Sequence, residues 1–189
     1  LSGTFSMDTP NNIGIKTKPI YAEKCTTYID IHDNTSFINE NEFIWTSEKD
    51  GYNHIYLINY ANDTEKQLTS GDWDVTEVYG YASQSKKIFF QAAKSHPTKR
   101  EIYALYTKNN KIELLTEKSG TNEANFSKTF NYFINTHSSA DTPFEITLHN
   151  QKGKLVKTLE KNEVLKNKLL SLIHISETTR RSTISFSVF

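Results

Sequence analysis

A single cysteine, Cys25, in 189 residues excludes an internal disulfide framework and any cysteine-based zinc cluster. Net charge is lacking too: 22 basic residues offset 22 acidic ones, and the pI is near 7.2. That balance supplies no basic stripe for nucleic acid and no reason to invoke an acidic membrane surface. No apolar run approaches the ~18 residues that a membrane span needs. No charged n-region followed by an apolar h-region follows Leu1, so no signal peptide is visible, and a leucine in first place leads us to expect that the natural start lies upstream.

What the chain does have is aromatic residues, 12% of the total and led by Phe and Tyr, within a modest 36% of hydrophobic residues. It is enriched in strand formers rather than in Leu and Ala. The stretch FIWTSEKDGYNHIYLIN, Phe43 to Asn59, is an aromatic run, an Asp50-Gly51 corner expected to supply the positive φ angles of a tight turn, and a second apolar run. It predicts a β-hairpin.

The hairpin recurs. Phe43-Ile44-Trp45 returns as Ile88-Phe89-Phe90 and as Tyr132-Phe133-Ile134, at steps of 45 and 44. His54-Ile55-Tyr56-Leu57 returns as Glu101-Ile102-Tyr103-Ala104 and as Phe144-Glu145-Ile146-Thr147, at steps of 47 and 43. A third element follows each time: Lys66 to Thr69, Glu113 to Thr116, Lys157 to Glu160. A fourth precedes each aromatic run, around Thr35 to Ile38, Val75 to Tyr81 and Asn122 to Phe126. A partial copy, Lys18-Pro19-Ile20-Tyr21, lies about one period upstream. Polar connectors such as Asn109-Asn110 and Gln151-Lys152-Gly153 separate the runs.

Four short strands per period of about 40–45 residues mark β-propeller blades. The fold class expected is all-β, a propeller fragment of about three four-stranded antiparallel blades plus a partial one. A β-sandwich also places turns every 8–12 residues, but it does not require a four-element unit to return in the same order, and it ranks second. Blades stack face to face with both faces covered, which accounts for nearly continuous apolar runs. Three blades do not close a ring, since propellers have about four to eight. An uncovered face of about 500 Å² forfeits on the order of 12 kcal/mol, as much as the whole stability of a typical domain, about 5–15 kcal/mol. The expectation is therefore a fragment, poorly soluble through its open faces and strand edges.

At this level of detail the residues resemble a known family. YIDIHDN (Tyr28 to Asn34), FIWTSEKDGYNHIYL (Phe43 to Leu57), QLTSGDWDVTEVYG (Gln67 to Gly80) and KREIYAL (Lys99 to Leu105) resemble the propeller of bacterial dipeptidyl-peptidase IV-type serine peptidases, of the prolyl oligopeptidase clan. NYFINTHSSADTP (Asn131 to Pro143) and LHNQKGKLVKTLEKN (Leu148 to Asn162) fit its late blades in the same order. The family's Asp-Asn pair after the last strand reads Lys161-Asn162 here. The resemblance implies an exopeptidase that removes N-terminal dipeptides with Pro or Ala second. In that family a Ser-Asp-His triad on a C-terminal α/β-hydrolase domain does the chemistry, paired glutamates on an earlier propeller segment hold the substrate's amino group, and the propeller restricts access. None of those residues transfers to a position here. No G-x-S-x-G elbow exists, Ser70-Gly71 and Ser119-Gly120 lack its flanking glycine, and no two glutamates are adjacent.

The resemblance divides the chain into residues 1–24, the end of a preceding blade; 25–169, about three blades; and 170–189, a tail without blade register. LSLIHISETTRR, Leu170 to Arg181, closely resembles a translated transposase mosaic-end adapter reading LSLIHISEPTR, so the tail is set aside as a non-native scar; a natural amphipathic tail is the alternative.

Other features favour ordinary roles. Asp72, Asp74 and Glu77 around Trp73 suggest an acid–base cluster, but on a strand Asp72 and Asp74 share one face and Glu77 points to the other, and such carboxylates are more often solvated or bonded to turn amides. His32, His54, His96, His137, His149 and His174 show no HExxH or i,i+4 pairing. Asn34, Asn62 and Asn125 head glycosylation sequons and are read as turn residues. No catalytic, cofactor-binding or metal-ligating residue is assigned, and no cofactor is expected. His32, Asp33 and Asn34 are singled out as channel-mouth contacts, where family members touch substrate. The expected function is the substrate-gating segment of a dipeptidyl-peptidase IV-like exopeptidase, inactive by itself. The expected partners are a peptide substrate, a hydrolase domain outside this chain and a second copy in a homodimer. The expected location is the periplasm or cell surface, by resemblance. The alternatives are a non-catalytic periplasmic protein-binding propeller and a related oligopeptidase of the same clan.

Overall fold

The computed structural model describes residues 3–7, 19–25, 29, 32 and 34–169. Strands β1 (Gly3–Met7) and β2 (Tyr21–Cys25) form a two-stranded antiparallel sheet. Three four-stranded sheets follow. The first holds β3 (Ser36–Phe37), β4 (Glu42–Ser47), β5 (His54–Asn59) and β6 (Thr64–Gln67). The second holds β7 (Val75–Ala82), β8 (Lys87–Ala92), β9 (Glu101–Tyr106) and β10 (Lys111–Leu114). The third holds β11 (Thr121–Phe126), β12 (Tyr132–Ser139), β13 (Thr142–Asn150) and β14 (Leu155–Glu160). Within each sheet every strand pairs antiparallel with its sequence neighbour, as successive meanders of a β-propeller require. A short helix, α1, covers residues 163–169. The tail at 170–189 lies outside the described residues.

The sheets stack through alternating side chains. Phe43, Trp45, Tyr56 and Ile58 face back toward Ile20 and Tyr21. Ile44, Ile55 and Leu68 face onward and meet Ile88, Phe90, Tyr103 and Leu105 of the second blade. The second blade's onward row, Phe89, Ile102, Ala104 and Leu115, meets Ala124 and Phe133 of the third. Period-two alternation with both faces covered buries all six residues of β8.

This stacking fixes the repeat register and corrects it in the third copy. The backward-facing residue is Phe43, then Ile88, then Phe133, giving equal steps of 45 residues. Aligning on Tyr132 slips the third copy by one residue and exchanges its two faces. The same slip affects the next strand. Tyr56 opposite Trp45 and Tyr103 opposite Phe90 correspond to Thr147 opposite Asn135. Glu145, and not Phe144, is therefore the counterpart of His54 and Glu101.

The turns show why these sequences bend where they do. The connection from β4 to β5 is longer than a two-residue corner: Gly51 donates to the Glu48 carbonyl at 2.9 Å, and positive φ occurs at Gly51 (105°), not at Asp50. Between the last two strands of each blade one residue is left-handed: Asp63 (φ 54°), Asn110 (φ 55°) and Gly153 (φ 78°). These residue types tolerate that region best. At the third turn a Cβ would stand 2.3 Å from the Leu115 carbonyl oxygen, so glycine also lets this turn rest on the second blade. Threonines after the outer strands cap the first two blades: Thr69 Oγ1 accepts from the Ile55 amide at 2.9 Å and Thr116 Oγ1 from the Ile102 amide at 3.3 Å. The third repeat has Leu159-Glu160 in place of Leu-Thr, with Leu159 46% exposed.

Candidate functional site

The innermost strands β3, β7 and β11 adjoin one another along one edge of the stack, the edge that lines a propeller's channel. His32 and Asn34 lie just before β3. The His32 ring packs against Trp45 with centroids 4.4 Å apart and planes tilted by 46°, and its Nε2 lies 2.6 Å from the Thr46 carbonyl oxygen. The Asn34 side chain donates to Thr46 Oγ1 at 3.4 Å, while its Oδ1 accepts from the Val78 amide at 3.3 Å. Asn34 thus spans the first and second blades. Asp33 lies outside the described residues.

On β7 and β11 the corresponding register positions are carboxylates. Glu77 stands opposite Gln91 on β8, and Glu123 opposite Thr136 on β12. Tyr79 links the two strands: its hydroxyl accepts from the Ala124 amide at 3.2 Å and bonds to Glu77. Burial pushes the Glu77 carboxyl above its ordinary range; the bond from Tyr79 opposes this and repulsion from Glu123 adds to it. Burial also raises the Tyr79 hydroxyl, so it stays protonated and able to donate. Phe126, Phe130 and Ile134 join Glu77, Tyr79 and Glu123 around a cavity of about 770 Å³. Phe130 stacks on Phe89 at 5.6 Å. This wall can accept hydrogen bonds and counter positive charge.

The structure separates the acidic cluster suggested by spacing. Residues 71–73 form a bend before β7 rather than a strand. Asp74 Oδ1 accepts from the Asn53 amide at 2.8 Å, the turn-amide role expected of it. Glu77 belongs instead with Tyr79 and Glu123, which sequence reasoning missed. Placing Val75 to Tyr81 and Asn122 to Phe126 in one repeat register was the available signal, because it superposes the two glutamates.

The described histidines are engaged locally. His54 is buried, with Nε2 2.9 Å from the Gly71 carbonyl oxygen and Nδ1 3.2 Å from Thr69 Oγ1. His137 Nε2 meets the Ser119 carbonyl, His149 Nδ1 the Gly153 carbonyl and His96 Nδ1 the Thr98 hydroxyl. His174 lies outside the described residues. Among the described residues no three His, Cys, Asp or Glu are arranged to hold a metal ion, and no helix is long and apolar enough to cross a membrane. Of the sequon asparagines, Asn62 sits in a turn and receives a bond from Thr64 Oγ1 at 2.7 Å. Asn125, read as a turn residue, lies within β11 opposite Ile134.

Comparison with known proteins gives this geometry its place. Residues 6–144 match the dipeptidyl peptidase IV (DPP IV) N-terminal region. Dipeptidyl peptidase 4 of Arthroderma otae is 29% identical over 136 residues, 70% of this chain and 18% of that protein. Dipeptidyl peptidase 4 of Trichophyton equinum is also 29% identical over 136 residues, with the same coverage of 70% and 18%. The crystal structure of Porphyromonas gingivalis dipeptidyl peptidase 4 superposes with a TM-score of 0.75 at 37% identity, covering 82% of this chain and 22% of that one. The chain spans about a fifth of the length of these relatives. Sequence repeat, blade stacking and these matches agree that the chain belongs to the dipeptidyl peptidase IV N-terminal region family.

Proposed function

We propose that this chain is a late segment of the propeller of a serine exopeptidase that removes X-Pro and X-Ala dipeptides from peptide N-termini. In this reading residues 1–24 end a preceding blade and 25–169 supply about three more. The segment narrows access to a hydrolase domain carried elsewhere in the polypeptide, and it has no activity by itself. In the same reading His32 and Asn34 stand at the channel mouth. The protein works in the periplasm or at the cell surface, with a homodimer as its assembly.

The match of residues 6–144 to the family's N-terminal region carries the reading, supported by the 37% identity of the superposed Porphyromonas enzyme. The carboxylates of the inner wall add a physical reason: a free peptide N-terminus is a cation, and Glu77 and Glu123 bias the wall toward it. The test is cleavage of an X-Pro chromogenic substrate. The polypeptide containing this segment and its hydrolase domain should release the chromophore while the 189-residue chain stays silent. No release by the longer polypeptide would refute the proposal.

A further inference from the structure

Two cavities against the third blade carry charges of both signs, and they differ in whether those charges are spent. Around the turn that joins β12 to β13, Lys118 pairs with Glu145 and Lys161 with Glu163, so that cavity is neutralised from within. The inner-wall cavity of about 770 Å³ is not. It is lined by Glu77, Glu123 and Lys128, and none of the three makes an ion pair among the described residues. Its volume falls in the range of about 300–1,000 Å³ usual for clefts that hold small ligands. The charges are also ordered along one strand. Glu123 is the third residue of β11, with Glu77 of β7 near enough to repel it. Lys128 lies beyond the end of β11, in the turn to β12. Between the two ends the lining is apolar: Phe126, Phe130 and, opposite Asn125 on the next strand, Ile134. Phe130 stacks on Phe89 with planes 4° apart and lies 5.5 Å from Phe126, so this floor is in place before anything binds. At about 3.3 Å per residue, the stretch from Glu123 to Lys128 spans roughly 16 Å.

We propose that this groove holds a short peptide with both ends free, about four or five residues long, its ammonium at Glu77 and Glu123 and its carboxylate at Lys128. The inference rests on the reading above that the chain lines the channel of an exopeptidase. It adds to that reading a second charged end, a length and a preference for what lies between. Charge complementarity selects the occupant. A simple cation leaves Lys128 unused, and a longer chain carries its carboxylate past it. An aromatic or aliphatic side chain in the middle of the peptide covers Phe126, Phe130 and Ile134 and removes apolar area from water on both sides. The end contacts lie at exposed positions, so each should be worth no more than about fivefold in affinity and should weaken as salt is added.

Isothermal titration of the longer polypeptide with the peptide Gly-Leu-Phe-Gly tests the proposal. That probe has neither Pro nor Ala in second place, so it should survive the measurement. N-acetylation and C-terminal amidation should each weaken binding about threefold to fivefold. Amidation should make no difference to the Lys128→Gln protein, and acetylation a smaller difference to the Glu123→Gln protein, because each end has then lost its partner. A peptide of about ten residues with the same ends should bind more weakly. Undetectable binding overturns the proposal, as does an equal loss on amidation in the Lys128→Gln and unaltered proteins. Sensitivity to acetylation alone also overturns it, by making the groove a site for cations, and equal affinity for the longer peptide does so by removing the second end. An X-Pro assay on the same polypeptide keeps the two readings apart: end-dependent binding without cleavage sinks only the peptidase reading, and cleavage without it sinks only the groove.

Discussion

The seam between the first and second blades and the seam between the second and third have the same backbone plan but different chemistry. In the first, Ile44, Ile55 and Leu68 meet Ile88, Phe90, Tyr103 and Leu105 in one apolar cluster, with Trp73 stacked on Phe90 at 6.4 Å. In the second, Phe89, Ile102, Ala104 and Leu115 meet a row in which Asn135 replaces Phe90 and Thr147 replaces Tyr103. Asn122, Asn135, His137 and Thr147 are all buried there. The first seam is held by area removed from water, the second by area and by a hydrogen-bond network that must stay closed. Asn122 is its hub. Its side-chain amide donates to the Arg100 and Lys118 carbonyls, both at 3.0 Å, and its Oδ1 accepts from Asn135 at 3.0 Å. Its backbone carbonyl accepts from Gln91 Nε2 at 2.6 Å. Among the described residues Asn135 Oδ1 and His137 Nδ1 are buried without a hydrogen-bond partner.

The largest expected effect comes from breaking the apolar seam. Phe90→Ala removes a fully buried ring and should cost about 3–5 kcal/mol. That lowers the melting midpoint of the chain by about 6–20 °C, read by thermal denaturation. Asn135→Ala, at the same register position in the third blade, should cost less, about 1–3 kcal/mol, because it leaves the buried Asn122 Oδ1 without the Asn135 donor. Equal losses at the two positions would erase the distinction between the seams.

A middle-sized effect sharpens it. Asn122→Ala leaves the Arg100 and Lys118 carbonyls without their side-chain donor inside the second seam and should cost about 1–3 kcal/mol, read as a lower urea midpoint at unchanged slope. The loss should appear in hydrogen exchange at β11 and β12 while β4 and β5 keep their protection. Uniform loss of protection across all three blades would show that the seams do not open independently.

The sequence made the first two blades legible more fully than the third, for a physical reason. Where both faces are covered, aromatic and aliphatic residues run together, and Phe43-Ile44-Trp45 and Ile88-Phe89-Phe90 align without ambiguity. In the third blade Asn135 and Thr147 interrupt the backward row, so the eye settles on Tyr132 and Phe144, which lie on the exposed face. A one-residue slip then exchanges inside for outside. The inner wall was half legible for the same reason. In sequence Glu77 groups with Asp72 and Asp74, whereas its partners in space are Tyr79 and Glu123, related to it by the repeat rather than by adjacency. Likeness to the family points to Asn34, but its bond to the Val78 amide is not legible from spacing.

The smallest effect concerns the inner edges of the two seams, which also differ. Neutral Asn34 closes the first; Tyr79, between Glu77 and Glu123, closes the second. The second should therefore respond to mild acid. Burial raises the Glu77 carboxyl above its ordinary value of 4.5, with the Tyr79 bond opposing and Glu123 reinforcing the shift. The folded chain thus keeps that proton to a higher pH than the unfolded chain does. Between the two values the folded state binds more protons, so stability falls as pH rises through the window and stays lower at neutrality. Glu77→Gln keeps an acceptor for Tyr79 and removes the charge. Its melting midpoint should lie slightly above that of the unaltered chain at pH 7 and coincide with it near pH 4, where both carry a neutral group. A Glu77→Gln chain less stable at pH 7 than at pH 4, relative to the unaltered chain, would mean that the ionised carboxylate holds this edge together, through Tyr79, more strongly than burial and Glu123 oppose it.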